Sequence, residues 1–449
     1  MKHFATLSSL RDGTCYFLTP QVWKQAHQAC QAKYTPPCWD LKTLVSVLLT
    51  TAWCCGDSQE ERFATARAAY VADHQHSRRP GTTLAGFLKA LAKLSMKALR
   101  ALAEGVRARL DQEFVESLRI GGYLPVACDG SRLECPRAAS LQQRLGQACK
   151  PDSAPMAYVT AMVLLPLGLP WAWRWGKGTA NEHEHLRKML PTLPERSLLV
   201  GDAFYVGYEL LTTILQAQAS FLVRLSSRIH LYTLTRVPLK RFRQGLVYYW
   251  PKHTREQGKG PLLLRLLRVR GKKADVWLLT NVLDRNRISH KAVSQIYRWR
   301  WRNEGLFRVY KRMLGKVKLQ SRTIPLVHRE AESSMLALQL LIARATQPMR
   351  HGRQIWLHPE EKLSTDSPRR VLLCLRGAIA GALRHLGPRQ FLAYQRMLQQ
   401  VRSQPRQRTS SRIRQIWPRK KPYAPPGPPK MRVMSPDLKA SMARLLKAA

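Results

Sequence analysis

The segment Leu124-Pro-Val-Ala-Cys-Asp-Gly130 carries an apolar run into an aspartate and a glycine. Its composition is typical of a buried β-strand, and the Asp129-Gly130 pair predicts that the strand ends in a carboxylate. The segment Ser197-Leu-Leu-Val-Gly-Asp-Ala-Phe-Tyr205 repeats the arrangement at Asp202, after which apolar residues return to helical spacing. One strand-end aspartate is usually a turn former or a helix cap. Two of them in similar settings favour a shared site.

A third acid lies in Ile296-Tyr-Arg-Trp-Arg-Trp-Arg-Asn-Glu-Gly-Leu-Phe-Arg-Val-Tyr-Lys311. Tyr297, Arg300, Glu304 and Lys311 have offsets of 3, 7 and 14 residues from the first of them. At about 100° per residue they fall at roughly 0°, −60°, −20° and −40°, which predicts one narrow polar stripe on a helix. Four residues near 180° form an apolar back for packing: Trp299, Leu306, Tyr310 and Met313. A stripe of this kind alone is usually a solvated face, but the two upstream acids favour a site for metal and phosphate.

The order Asp129, Asp202, Glu304, with the glutamate inside this Tyr/Arg/Glu/Lys signature, resembles the DDE transposases of bacterial insertion sequences, in the insertion-sequence-four type family. The resemblance covers Tyr123 to about Glu332. It implies a transposase that binds the ends of its element, cleaves phosphodiester bonds by two-metal hydrolysis and transfers 3′-OH ends into target DNA. The three acids would be catalytic and would ligate two Mg²⁺ ions, for which Mn²⁺ can substitute.

The same resemblance implies a mixed α/β fold with a ribonuclease-H-like catalytic core, a β-rich insertion and helical N- and C-terminal regions. Strand-like segments at 123–128, 156–165, 170–175 and 197–201 fit such a core. Before the last of them, the spacing of Thr179-Ala-Asn-Glu182 is that of a capping box, which predicts a helix through Leu190. In a ribonuclease-H-like sheet the first and fourth strands are neighbours, so we expect Asp129 and Asp202 to lie side by side.

Four residues are expected to contact DNA. Arg300 and Lys311 would bind phosphates near the cut, and Tyr297 could hydrogen-bond another. Trp277 occupies the strand position at which some relatives stack a flipped base, although a core tryptophan is an equally good interpretation. The chain departs from the family at Ala203, where many relatives have an arginine, so no role is transferred to that position.

A further polar cluster, Glu182-His-Glu-His185, invites interpretation as a metal site. Residues two apart on a helix diverge by about 200°, so these side chains cannot easily chelate together. A solvated helix face is the preferred interpretation.

Composition indicates a nucleic-acid partner. The chain has 75 Lys and Arg residues against 28 Asp and Glu residues, a formal charge of +47. So large an excess would cause severe self-repulsion without a polyanion. The charge implies DNA or RNA, and the resemblance implies double-stranded DNA, both element ends and target, with a homodimer in the synaptic complex. The nine cysteines form no Cys-x-x-Cys pair, the start lacks a signal-peptide core, and no apolar run suits a membrane helix. These features predict a soluble protein of a reducing cytoplasm that is not associated with a membrane, and the resemblance implies a bacterial protein associated with the nucleoid.

Composition and periodicity divide the chain into four regions. We predict a helical region at 1–118 with possible DNA binding, and a catalytic core at 119–345 with its β insertion at about 221–282. A helical region at 346–402 and a basic, Pro-rich linker with a short terminal helix at 403–449 follow.

Two alternatives stay open at this level. A ribonuclease-H-like nuclease that cuts without integrating would share the acids, and a non-catalytic nucleic-acid-binding protein would share the charge. A tyrosine recombinase is disfavoured, because no C-terminal tyrosine stands in a suitable Arg/His context.

Overall fold

The computed structural model describes residues 15–30, 38–75, 78–146, 153–271, 274–346, 367–403 and 427–448. Over these ranges the chain combines a ten-stranded mixed sheet with helices on its two faces. No helix in these ranges is long and apolar enough to cross a membrane.

The N-terminal part is helical, as the sequence predicts. Each helix begins after a Thr, Asp or Ser whose side chain accepts a backbone N–H of the first turn, which satisfies a donor that the helix cannot. The helices are α1 Pro20–Ala29, α2 Leu41–Trp53, α3 Gln59–Asp73, α4 Leu84–Lys93 and α5 Met96–Leu110. A π turn at Asp111–Val115 and a 3-10 turn at Glu116–Leu118 lead from α5 into the sheet.

The sheet has the strand order β10-β6-β7-β8-β9-β5-β4-β1-β2-β3. Its first five strands along the chain are β1 Leu124–Glu134, β2 Met156–Leu164, β3 Leu169–Lys177, β4 Ser197–Gly201 and β5 Ser220–Arg224. The other five are β6 His230–Thr233, β7 Gln244–Tyr249, β8 Leu262–Val269, β9 Val276–Thr280 and β10 Lys430–Val433. β1 pairs antiparallel with β2 and parallel with β4, which confirms that the first and fourth strands are neighbours.

Residues 220–280 are mainly β and continue the same sheet, because β5 pairs with β4 on one side and with β9 on the other. Short helices connect the strands: α6 Ala139–Leu145, α7 Glu182–Met189, α8 Tyr208–Gln216 and α9 Lys252–Glu256. α7 begins after Asn181, whose side chain accepts from the His183 backbone N–H. The predicted capping box at Thr179 is therefore placed two residues too early.

Both faces of the central strands are buried. On one face, Ala127 of β1, Val200 of β4 and Leu222 of β5 pack with α10 His290–Trp299. The residues next to them along each strand point to the other face and pack in the main core. After α10 the chain forms α11 Trp301–Arg308, a π turn at Val309–Met313 and the long α12 Ile324–Ala345. α12 packs against α2 and α5, and the Trp53 indole N–H donates to its Ala337 carbonyl (3.1 Å), which ties the N-terminal helices to the core.

Two C-terminal helices, α13 Pro368–Leu383 and α14 Pro388–Ser403, pack on α3. β10 then joins the sheet as a parallel edge strand beside β6, and α15 Pro436–Ala448 follows. The predicted basic linker lies almost wholly outside the described residues. The predicted region boundaries at 118, 345 and 402 stay predictions.

Candidate active site

Strand register brings the two aspartates together. The parallel pairing of β1 with β4 runs from Leu124 opposite Ser197 to Ala127 opposite Val200. Asp129 and Asp202 each follow two residues after the last pair, so they stand at equivalent levels on adjacent strands, which lie about 5 Å apart. This register supports the expectation that the two aspartates lie side by side, which stays a prediction.

Asp129 does not end its strand, which corrects the prediction from Asp129-Gly130. β1 stops pairing with β4 at Ala127, but it continues beside β2 as far as Glu134, with Asp129 opposite Ala161. Gly130 therefore serves a purpose other than a turn. A Cβ at position 130 would stand 2.0 Å from the Tyr158 hydroxyl oxygen, so only glycine leaves room for that side chain.

Asp202 caps a single 3-10 turn, Ala203–Tyr205. Its Oδ1 accepts the Phe204 backbone N–H at 2.8 Å. The Asp129 Oδ1 accepts the Gly130 N–H at the same distance. Each carboxylate thus uses one oxygen to accept a nearby backbone N–H.

The pKa of Asp129 depends on its burial and on the charged side chains near it. Burial, followed by the charges of Glu182 and Asp202, raises the pKa of Asp129 from 3.8 to about 7, and the Gly130 amide and Arg300 oppose that rise. The negative charges of Glu182 and Asp202 near Asp129, which the Arg300 guanidinium opposes, favour a cation near the two aspartates. Hard carboxylate oxygens suit Mg²⁺, so the donor chemistry fits the ion that the resemblance implies.

The third acid of the signature lies apart from this pair. Glu304 is exposed on α11, although α11 itself packs against β1. The charged side chains that shift the pKa of Asp129 are those of Glu182, Asp202 and Arg300, and Glu304 is not among them. Nowhere in the described ranges do three His, Cys, Asp or Glu side chains form a group that could hold a metal ion.

The signature segment is not one continuous α-helix, which corrects the phase calculation. α10 ends at Trp299, and a new helix begins at Trp301. Around this break the backbone N–H groups of Arg300 and Asn303 donate to carbonyls three residues earlier, those of Tyr297 and Arg300. The cause is tertiary, since neither Gly nor Pro stands at the break. The Arg302 guanidinium donates to the Leu165 and Pro166 carbonyls, which fixes the start of α11 to the turn between β2 and β3. The π turn at Val309–Met313 then moves Lys311 further from the predicted angle.

The stripe residues consequently differ in exposure. Tyr297 is 8% exposed, and burial raises the pKa of its hydroxyl, while Arg300 lies partly buried over the Tyr297 and Trp301 rings at 5.7 and 5.2 Å. Lys311 is partly buried, and burial lowers its pKa. Leu306 and Tyr310 are buried, as expected for the apolar back.

Trp277 lies in the core. Its side chain is 4% exposed, its ring stacks on Phe242 with centroids 5.7 Å apart, and the Arg268 guanidinium lies 5.6 Å from the ring centroid. In this arrangement Trp277 offers no open ring face to a DNA base.

The interpretation of Glu182-His-Glu-His185 as a solvated face is wrong for two of its members. Glu182 accepts from the Tyr158 hydroxyl (2.6 Å) and from the Tyr205 hydroxyl. His185 is buried, with its Nδ1 2.9 Å from the Thr160 hydroxyl. Only Glu184 is the solvated residue expected, in an exposed pair with Lys188. Glu182 and His185 are three residues apart and so share one face of the helix, whereas Glu184, two residues from Glu182, points the other way into solvent.

Part of the chain matches a family model of transposase domains. Residues 123–340 match the family model "Transposase DDE domain", a little under half of the chain, and the match includes Asp129, Asp202 and Glu304. No curated protein matches the chain. Among solved structures, the cryo-EM structure of the piggyBac transposase synaptic complex with hairpin DNA aligns with a TM-score of 0.43 and 11% identity. That alignment covers 92% of this chain and 89% of the other.

Proposed function

We propose that the chain is a DNA transposase of the insertion-sequence-four type. It binds the ends of its element, cleaves phosphodiester bonds there and joins the freed 3′-OH ends to target DNA. The observation that carries this proposal is the register of β1 and β4, which sets Asp129 beside Asp202 within the segment matched by the transposase domain.

Asp129, Asp202 and Glu304 would hold the divalent ions. Bound Mg²⁺ or Mn²⁺ would supply an activated water and charge stabilisation for the leaving oxygen. The register of β1 and β4 supports a shared position for Asp129 and Asp202, and Glu304, which is exposed on α11, would have to approach them.

Basic residues of the same segment would position the DNA. Arg300 interacts with Asp129 in the isolated chain. With cations held by the carboxylates, this guanidinium would be available to bind a phosphate bidentately. Lys311 and Tyr297 would support the strand nearby, and the formal charge of +47 supplies the attraction to double-stranded DNA. Two copies would pair the two ends in a synaptic complex.

The test uses short duplexes that carry the inverted repeats flanking the reading frame, with Mg²⁺ and a supercoiled target plasmid. Asp129→Asn, Asp202→Asn and Glu304→Gln should each lower end cleavage by orders of magnitude and preserve end binding. Glu184→Gln, on the exposed side of α7, is the matched control and should cleave normally. Cleavage without joining would indicate a nuclease, and end binding by the wild type without any cleavage would indicate a non-catalytic binding protein.

A further inference from the structure

The Glu182 carboxylate connects two elements that flank the aspartates. Its Oε2 accepts from the hydroxyl of Tyr158 on β2, at 2.6 Å, and its Oε1 accepts from the hydroxyl of Tyr205 in the turn after Asp202. Burial raises the pKa of both tyrosines well above 10, so both hydroxyls stay protonated and donate. One carboxylate at the start of α7 is thereby bonded to β2 and to the Asp202 turn.

Glycines beside both aspartates make room for these tyrosines. A Cβ at Gly130, the residue after Asp129, would stand 2.0 Å from the Tyr158 hydroxyl oxygen. A Cβ at Gly201, the residue before Asp202, would stand 2.9 Å from the Tyr205 ring. Neither glycine has a positive φ, so close approach, and not backbone conformation, explains its presence.

The Tyr205 side chain also reaches β1. Its hydroxyl interacts with the thiol of Cys128, the residue before Asp129, and both side chains are buried. The second residue of the turn is fixed from the other side, because His183 Nε2 lies 3.0 Å from the Phe204 carbonyl oxygen. The turn that carries Asp202 therefore contacts α7 at two points and β1 at a third.

We propose that Glu182 is a positioning residue that, through Tyr158 and Tyr205, fixes the Asp202 turn against β1 and β2 and so sets the separation of the two aspartates. Because both of its oxygens are engaged by hydroxyls, Glu182 acts through its neighbours and does not face the DNA. The consequence for metal binding rests on the proposed function, whereas the mechanical connection does not.

The mechanical connection can be tested by hydrogen–deuterium exchange of the metal-free full-length protein. Tyr205→Phe removes one hydroxyl and keeps the buried ring, and Glu182→Ala removes the carboxylate. Each should accelerate amide exchange in residues 202–206 about tenfold or more, because a hydrogen bond to a charged group is lost. Glu184→Gln, two residues along the same helix, should leave exchange at the turn unchanged. Unchanged exchange in Tyr205→Phe, with its fold verified by circular dichroism, would overturn the proposal.

The consequence for the site is measured as Mn²⁺ affinity without DNA, by electron paramagnetic resonance. Tyr205→Phe and Glu182→Ala should bind Mn²⁺ about 10–100-fold more weakly than wild type, the usual effect of losing a group that orients a ligand. Glu182→Gln keeps an amide oxygen that accepts one tyrosine hydroxyl, so it should recover part of the affinity. If Glu182→Gln is as weak as Asp129→Asn, Glu182 is itself a ligand and its assignment as a positioning residue is wrong. If wild type binds no Mn²⁺ while exchange at the turn still responds, the proposed function fails and the connection stands.

Discussion

Replacing Asp129 by Asn should stabilise the metal-free protein at alkaline pH. Asp129 is largely buried near the carboxylates of Glu182 and Asp202, and no bound cation offsets their repulsion. Asparagine has the same shape, and its Oδ1 can still accept the Gly130 N–H that the aspartate accepts. The substitution therefore removes charge and preserves local geometry.

The size of the effect follows from the pKa. Burial and then the charge of Glu182 raise the pKa of Asp129 from 3.8 to about 7, a difference of about 3 units. At 1.36 kcal/mol per unit this is a destabilisation of about 4 kcal/mol at most. Because the folded-state pKa is raised, the folded protein binds the extra proton between about pH 4 and 7. The penalty is absent below pH 4, grows through that window and is complete above pH 7.

Urea unfolding in the presence of EDTA, at pH 5 and at pH 8, measures this difference. Asp129→Asn should exceed wild type in free energy of unfolding at both values, and its advantage should grow by about 2.5 kcal/mol from pH 5 to 8. Glu332, whose pKa burial also raises to about 7, titrates in both proteins and cancels in the difference. A pH-independent difference, or a less stable Asp129→Asn protein at pH 8, would refute the reasoning.

Three further outcomes are expected. Addition of 10 mM Mg²⁺ at pH 8 should raise the urea midpoint of wild type and leave that of Asp129→Asn nearly unchanged, since ligand binding to the folded state alone stabilises it. Trp277→Ala should lower the free energy of unfolding by about 3–5 kcal/mol, as for other buried aromatic residues, and a near-neutral result in urea titration would contradict its core position. Arg300→Ala should reduce end cleavage at least about tenfold, whereas Arg312→Ala, on the exposed side of the π turn, should change it less than about threefold in the same assay; equal losses would indicate a diffuse basic surface.

The strands that bear the two aspartates, and their order, could be predicted from the apolar pattern of the chain. Continuous apolar runs before Asp129 and Asp202 are long enough to specify buried strands, and the helix between them forces a crossover. Once β1 and β4 pair in parallel, equal spacing from the paired residues brings the two acids together. Local pattern and topology were sufficient here because the decisive contacts are backbone hydrogen bonds in regular register.

The other features of the site depend on contacts between distant parts of the chain. Helical phase predicted one stripe through Lys311, but the helix is interrupted at Arg300, beside the point where Arg302 binds carbonyls of a distant turn. A tryptophan on a strand can face solvent or the core, and the side chain of Trp277 faces the core, where it stacks on Phe242. The positioning role of Glu182 was not predicted, because it too depends on packing between distant elements. A charged residue at a helix start is usually solvated, and the two buried tyrosine hydroxyls that bind Glu182 come from segments 24 and 23 residues away in the chain. Local sequence determines which element a side chain belongs to, whereas the side chain's partners depend on how distant elements pack, and no local pattern encodes that.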